Sequence, residues 1–174
     1  MGSLRSLKVK PEGEEPSAPS FKFTQKELLV IALGGTLEDE FGPTHLPKYL
    51  FLVTKGLNIP EERGYLFKQG SYGPSPEEPY SSLLKELEKE DLLKTFRSPG
   101  TGPGYPYYRL TKKGRELYKE IRKTLPVNIR RWLNSLTEYF HTHDAKEVVC
   151  AICNKYPEWQ DGCLYYSRRN YGNP

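Results

Sequence analysis

Two histidines and three cysteines near the C-terminus are the residues whose types first suggest chemistry. His141, His143, Cys150, Cys153 and Cys163 fall within 23 residues, and imidazoles with thiolates are the ligand set of a structural zinc site. Their spacing is not that of a standard zinc finger. Cys150 and Cys153 stand three apart among Val148, Val149 and Ile152, positions at which a thiol serves as a small core hydrophobe. The expectation is therefore no metal and no cofactor, with these five residues as the zinc candidates.

A second set carries charge. Lys94, Arg97, Arg109, Lys112, Lys113 and Arg115 cluster around a glycine- and proline-rich stretch, RSPGTGPGYPYYRLT, and Tyr105, Tyr107 and Tyr108 interleave with them. Cations so placed neutralise phosphates and release counterions. The tyrosines either stack on unpaired bases or pack a hairpin. The chain's net charge is only +4, but its distribution is uneven. Residues 92–110 carry three basic residues and no acid, and residues 111–131 carry eight basic residues against two Glu. Residues 75–91 invert the sign, with six acids against two Lys. No nucleophile with a base beside it stands out, and the glycine-rich loop lacks the Lys-Ser/Thr of a phosphate cradle. His45 reads as a surface or capping residue, and the sequence predicts no enzyme.

These residues need elements to position them. Thr24 with Glu27 has capping-box spacing ahead of the apolar run LLVIAL, which Gly34-Gly35 stops, so a first helix is predicted. THLPKYLFLVTKG predicts a second, with Thr44 as a possible cap. Tyr65-Leu66-Phe67 reads as a short strand. Ser75-Pro76-Glu77-Glu78 reads as the cap and acidic first turn of a third helix bearing Tyr80, Leu83, Leu84 and Leu87 on one face. The runs flanking the glycine-rich stretch, Lys94-Thr95-Phe96 and Tyr107-Tyr108-Arg109-Leu110, pair as a β-hairpin with a long tip. Thr111 opens a fourth helix with Leu117, Tyr118, Ile121 and Leu125 inward, its outer face carrying Lys112, Lys113, Arg115, Lys119, Arg122 and Lys123. A fifth helix over 130–140 and a sixth from a cap at Asp144 to Lys155 follow, the latter broken by Tyr156-Pro157.

The order is helix, helix, short strand, helix, strand, loop, strand, helix. That makes the fold class α+β, mainly helical: a winged helix-turn-helix with a small β-hairpin wing and additional C-terminal helices. Residues 1–20 are polar, Pro- and Glu-containing, and predict a flexible tail. Residues 21–125 form the winged-helix domain, 126–159 the C-terminal helices and 160–174 a C-terminal tail. Trp132, Leu133, Leu136, Tyr139, Phe140, Val148 and Ile152 on the C-terminal helices either complete the core or build a homodimer.

Three stretches carry a resemblance. YGPSPEEPYSSLLKELEKEDLL looks like a family third helix entered by an aromatic-Gly-Pro turn, and YYRLTKKGRELYKEI looks like a return strand followed by a Leu-Thr-x-x-Gly helix start. With LPKYLFLVTKG and NKYPEW, they resemble small prokaryotic winged-helix proteins, the PadR-like and MarR-like transcription regulators, and the Panacea antitoxin-type domain. The resemblance implies duplex DNA binding, with the third helix in the major groove and the wing on the backbone or in the minor groove. The acidic third helix departs from that pattern, because it would face phosphates with the wrong sign.

The function expected is DNA binding in transcription regulation, through Lys94, Arg97, Tyr105, Arg109, Lys112, Lys113 and Arg115, with RNA as a second possible nucleic-acid partner. The alternative is a protein-interaction module, antitoxin-like or an adaptor, that uses its acidic third helix. The longest aliphatic run, residues 28–33, is too short to span a bilayer, so no membrane partner is expected. An odd cysteine count without an Asn-x-Ser/Thr acceptor favours the reducing cytoplasm.

Overall fold

A computed structural model describes residues 21–35, 42–97 and 104–165. The predicted N-terminal tail and most of the predicted hairpin tip lie outside the described residues. Among those described, six α-helices and two antiparallel hairpins make an α+β, mainly helical fold. No described helix is long and apolar enough to cross a membrane.

The first helix, α1 (Gln25–Gly34), starts at the capping box predicted for it. Thr24 Oγ1 accepts from the Glu27 N–H at 3.2 Å, and the Thr24 N–H donates to the Glu27 carboxylate at 2.8 Å. Leu28 to Leu33 are all buried, so this helix is wrapped on every side. Its glycines do more than stop it. A Cβ at Gly34 would overlap the Tyr118 ring, and one at Gly35 would overlap the Tyr49 ring. The bare backbone is what lets both rings close over the helix end.

Helix α2 (His45–Gly56) begins without the expected cap, because Thr44 is itself helical and makes no side-chain capping bond. Residues 46–54 are buried, and Tyr49 Oη lies 2.9 Å from Thr137 Oγ1 across the core. The His45 ring is not a cap or a surface group either. It is half-buried, edge-on to Phe140 at 6.0 Å, and burial lowers its pKa.

The next segment differs most from expectation. Strand β1 (Phe67–Gly70) pairs with β2 (Gly73–Pro76), so Ser75 and Pro76 are sheet residues rather than a helix start. Two forces hold them there. Gly73 adopts φ +79°, which the turn requires and other residues resist, and the Pro74 carbonyl accepts from Lys48 Nζ at 2.7 Å. A two-stranded sheet has open edges, which tolerate prolines that donate no ladder bond. Helix α3 therefore starts late, at Tyr80, and runs to Lys89. Its N-cap is Pro79, and the Glu78 carboxylate accepts from the Ser82 N–H and hydroxyl. Leu84 and Leu87 face the core as expected.

Asp91, at φ +57°, turns the chain out of α3. Strand β3 (Leu93–Arg97) then pairs with β4 (Pro106–Leu110), the hairpin that the sequence predicts. Helix α4 (Lys112–Lys123) follows at once, capped by Thr111. Helix α5 (Val127–Thr142) starts directly after Pro126, and α6 (Ala145–Lys155) begins at an Asp144–Glu147 capping box. A short 3-10 turn, Pro157–Trp159, closes this region.

One apolar cluster gathers side chains from all six helices and both hairpins. Trp132, Leu133, Leu136, Phe140, Val148 and Ile152 belong to it, so the apolar faces of α5 and α6 are covered by the chain's own core. Residues 160–165, expected as part of an aperiodic tail, pack back on the body. Cys163 is fully buried, and the Leu164 N–H donates to the Ser71 carbonyl at 2.9 Å.

Candidate nucleic-acid interface

In the second hairpin, register decides which side chains share a face. Lys94 stands opposite Arg109 and Phe96 opposite Tyr107, while Leu93 and Leu110, both buried, stand opposite each other on the other face. Arg109 lies over the Phe96 ring at 4.7 Å, a cation–π pairing diagonally across the two strands. Arg97 is exposed at the far end of β3. Of the three tyrosines, Tyr107 and Tyr108 are half-buried, and burial raises the pKa of Tyr108. Tyr105 is 72% exposed.

The hairpin is fastened to α4 by two small residues. Thr111 Oγ1 accepts from the Gly114 N–H at 3.1 Å and donates to the Asp91 carbonyl at 2.6 Å. A Cβ at Gly114 would overlap the Leu92 carbonyl, which itself accepts from the Thr111 N–H. The Leu-Thr-x-x-Gly spacing is thus a packing requirement, with a cap three residues before a close backbone approach. Its consequence is that the first turn of α4 stands beside the base of the hairpin.

That placement divides the predicted cations. Lys94, Lys112 and Lys113 line one open depression of about 430 Å³, together with Asp91, Thr111 and Glu116. Lys113 is already engaged, donating to the Glu90 carbonyl at 2.9 Å where α3 ends. Lys94, Arg97 and Lys112 make no hydrogen bond or ion pair with any described residue. Arg109 and Arg115 belong elsewhere. They line a separate cleft of about 680 Å³ that reaches α1 and α5, and Arg115 Nη1 donates to the Leu110 carbonyl at 3.1 Å.

Lys119 and Arg122, which the sequence places on the same outer face as Lys112, line that second cleft as well. Lys112, Arg115, Lys119 and Arg122 stand at i, i+3, i+7 and i+10, one stripe of a helix. Spacing therefore puts them on one face, and what sends Lys112 to the depression and the other three to the cleft is which elements stand beside each turn of α4.

The acids of α3 are partly accounted for. Lys26 of α1 donates to Glu86 at 2.9 Å and to Glu90 at 2.6 Å. The bond to Glu90, then that to Glu86, holds the Lys26 ammonium above its usual pKa, and Lys26 in turn lowers that of Glu90. Glu77, Glu78, Glu88 and Asp91 stay exposed, so this side of the molecule remains negative.

The zinc candidates separate into two places. Cys153 and Cys163 pack together with Val149, and Cys150 is buried nearby with its thiol 3.9 Å from the Tyr165 carbonyl. Burial, and then Cys163 beside it, pushes the Cys153 thiol up to about 12, which keeps it protonated and inert. His143 stacks on Tyr139 at 4.0 Å, and His141 is exposed. Among the described residues, no three His, Cys, Asp or Glu converge as a metal site. Nothing in the sequence marked Lys48, which is 4% exposed and lies beside this thiol cluster.

No protein-family model matches the chain, and neither the curated proteins nor the solved structures contain a significant match.

Proposed function

We propose that this chain is a winged-helix protein that binds duplex DNA, as a transcription regulator does, with β3–β4 as its wing. The order of α1, α2, α3, β3, β4 and α4 supports the winged-helix reading, with β1–β2 as an extra hairpin ahead of α3. The observation that carries the binding surface is the state of Lys94, Arg97 and Lys112. All three are exposed on the hairpin or the helix start it abuts, and none has a hydrogen-bonding or ionic partner among the described residues. Unengaged cations on both faces of the hairpin and at the adjoining helix start can meet phosphates without first breaking an internal bond. Exposed Tyr105 adds an aromatic group at the Arg97 end of the hairpin.

In this reading α3 does not lie deep in the major groove, because Glu88 and Asp91 would meet phosphates there. Binding is then mainly to the backbone and only weakly dependent on sequence. Fluorescence anisotropy with a random duplex at several salt concentrations tests the proposal. Affinity should fall steeply with salt, and changing Lys94, Arg97 and Lys112 together to alanine should lower the slope of log affinity against log salt by roughly two to three. No binding at low salt, or an unchanged slope in the triple variant, would remove this surface from consideration. A stoichiometric basic protein recovered with the chain in place of nucleic acid would instead assign the acidic α3 as a docking surface.

A further inference from the structure

We propose that the cleft bounded by α1, β4, α4 and α5 is a binding site for a small organic phosphate, separate from the DNA-contacting edge. Its walls bring Arg109, Arg115, Lys119 and Arg122 together against a single acid, Glu138. That excess of positive charge suits a ligand with at least two negative charges, and a guanidinium fork matches the geometry of a phosphate better than a point charge does.

Two of the arginines are held ready. Arg122 donates to the Tyr118 hydroxyl at 2.9 Å and to Asn134 Oδ1 at 2.6 Å, and Arg115 is fixed by the Leu110 carbonyl. A guanidinium has five N–H donors, so each keeps donors for a ligand after these bonds are made. Lys119 has no partner among the described residues and is exposed. Side chains already fixed lose less entropy when a ligand arrives.

The floor decides between ligand classes. Leu33, Gly34, Leu110 and the Tyr118 ring present apolar surface below the cations, and Gly34 lacks a side chain where the Tyr118 ring comes closest. Inorganic phosphate would leave that floor uncovered, and a duplex backbone gains nothing from it. A phosphate carrying an apolar or planar body satisfies both halves. The volume, about 680 Å³, is within the range of small-molecule clefts.

Titration calorimetry on the full chain at low salt, with adenosine 5′-monophosphate, inorganic phosphate and benzoate as probes, tests the site. The nucleotide should bind saturably, one per chain, and more tightly than either fragment. Lys119→Ala should weaken it about fivefold to tenfold, and Arg115→Ala at least as much. Lys119 makes no hydrogen bond or ion pair with any described residue, so circular dichroism should show that variant folded as the parent. Absence of saturable nucleotide binding at millimolar concentration, equal binding of inorganic phosphate, or indifference to both substitutions would overturn the proposal. So would a Lys119→Ala variant that lost duplex affinity and salt slope while no nucleotide bound, since the cleft would then be an extension of the DNA surface.

Discussion

The turn of the first hairpin is held from several sides, whereas the second is held at its base. In β1–β2 the Ser71 carbonyl accepts from Leu164, the Tyr72 ring meets Tyr165 at 5.0 Å, and Pro74 is bound by Lys48. Phe67 stands edge-on to Phe51 at 5.1 Å. In β3–β4 the buried residues are Leu93 and Leu110, next to the Thr111 and Gly114 clasp, and the strands then run outward to exposed Arg97 and Tyr105. Two ribbons of nearly equal length thus do different work. One is tied to the body at its turn and along its strands, and the other is anchored at one end and exposed at the other.

Substitutions that sharpen this contrast should differ in kind. The largest loss is expected from Phe51→Ala, which removes a fully buried ring packed on Phe67, Tyr156 and Trp159. It should cost about 3–5 kcal/mol in urea unfolding. A cost near zero would mean that the first hairpin is not part of the cooperative core.

Lys48→Ala should follow, at about 2–3 kcal/mol, because the Pro74 carbonyl is left buried without its donor. Lys48→Met separates packing from charge. Burial holds the Lys48 ammonium down to about 8, with Cys163 and Cys153 the opposing influences. Between pH 8 and 10.5 the unfolded chain keeps a proton that the folded lysine has released, so stability rises with pH across that window. The stability of the parent minus that of Lys48→Met should therefore grow by up to about 3 kcal/mol between these pH values. A flat difference would show that Lys48 is well hydrated. Tyr49, Tyr65 and Tyr80 act oppositely. Burial raises all three, so above about pH 10 the unfolded tyrosines release protons that the folded ones retain, and stability falls.

At the clasp of the second hairpin, Thr111→Ala loses both the Gly114 cap and the bond to Asp91, and should cost about 1–2 kcal/mol. The smallest effect belongs to the outer end. Tyr105→Ala and Arg97→Ala should each shift stability by less than about 0.5 kcal/mol in the same unfolding experiment. A larger loss at either residue would contradict the picture of a hairpin anchored at its base.

Much of this was legible in the chain, and the successes share a range. Thr24 with Glu27, Thr111 with Gly114 and Asp144 with Glu147 each satisfy a helix start from within three residues, so spacing suffices to find them. The β3–β4 pairing follows from two β-favouring runs across a glycine-rich loop. The same local reading made Ser75-Pro76-Glu77-Glu78 a helix cap, since that string is a sound one by itself. It became a strand because Lys48, 26 residues away, binds Pro74 and because Phe67 packs on Phe51.

By itself, then, the sequence determined where helices begin, which apolar stripes turn inward, and that positive charge gathers on and after the second hairpin. These are consequences of hydrogen bonds and periodicities within one or two turns of chain. Only the tertiary structure decided that Lys26 takes up Glu86 and Glu90 from 60 and 64 residues away, that Lys48 is buried, and that the cations of α4 divide between an edge and a cleft. Each of those depends on which elements stand side by side, and that is set by the packing of the whole core rather than by any one segment of it.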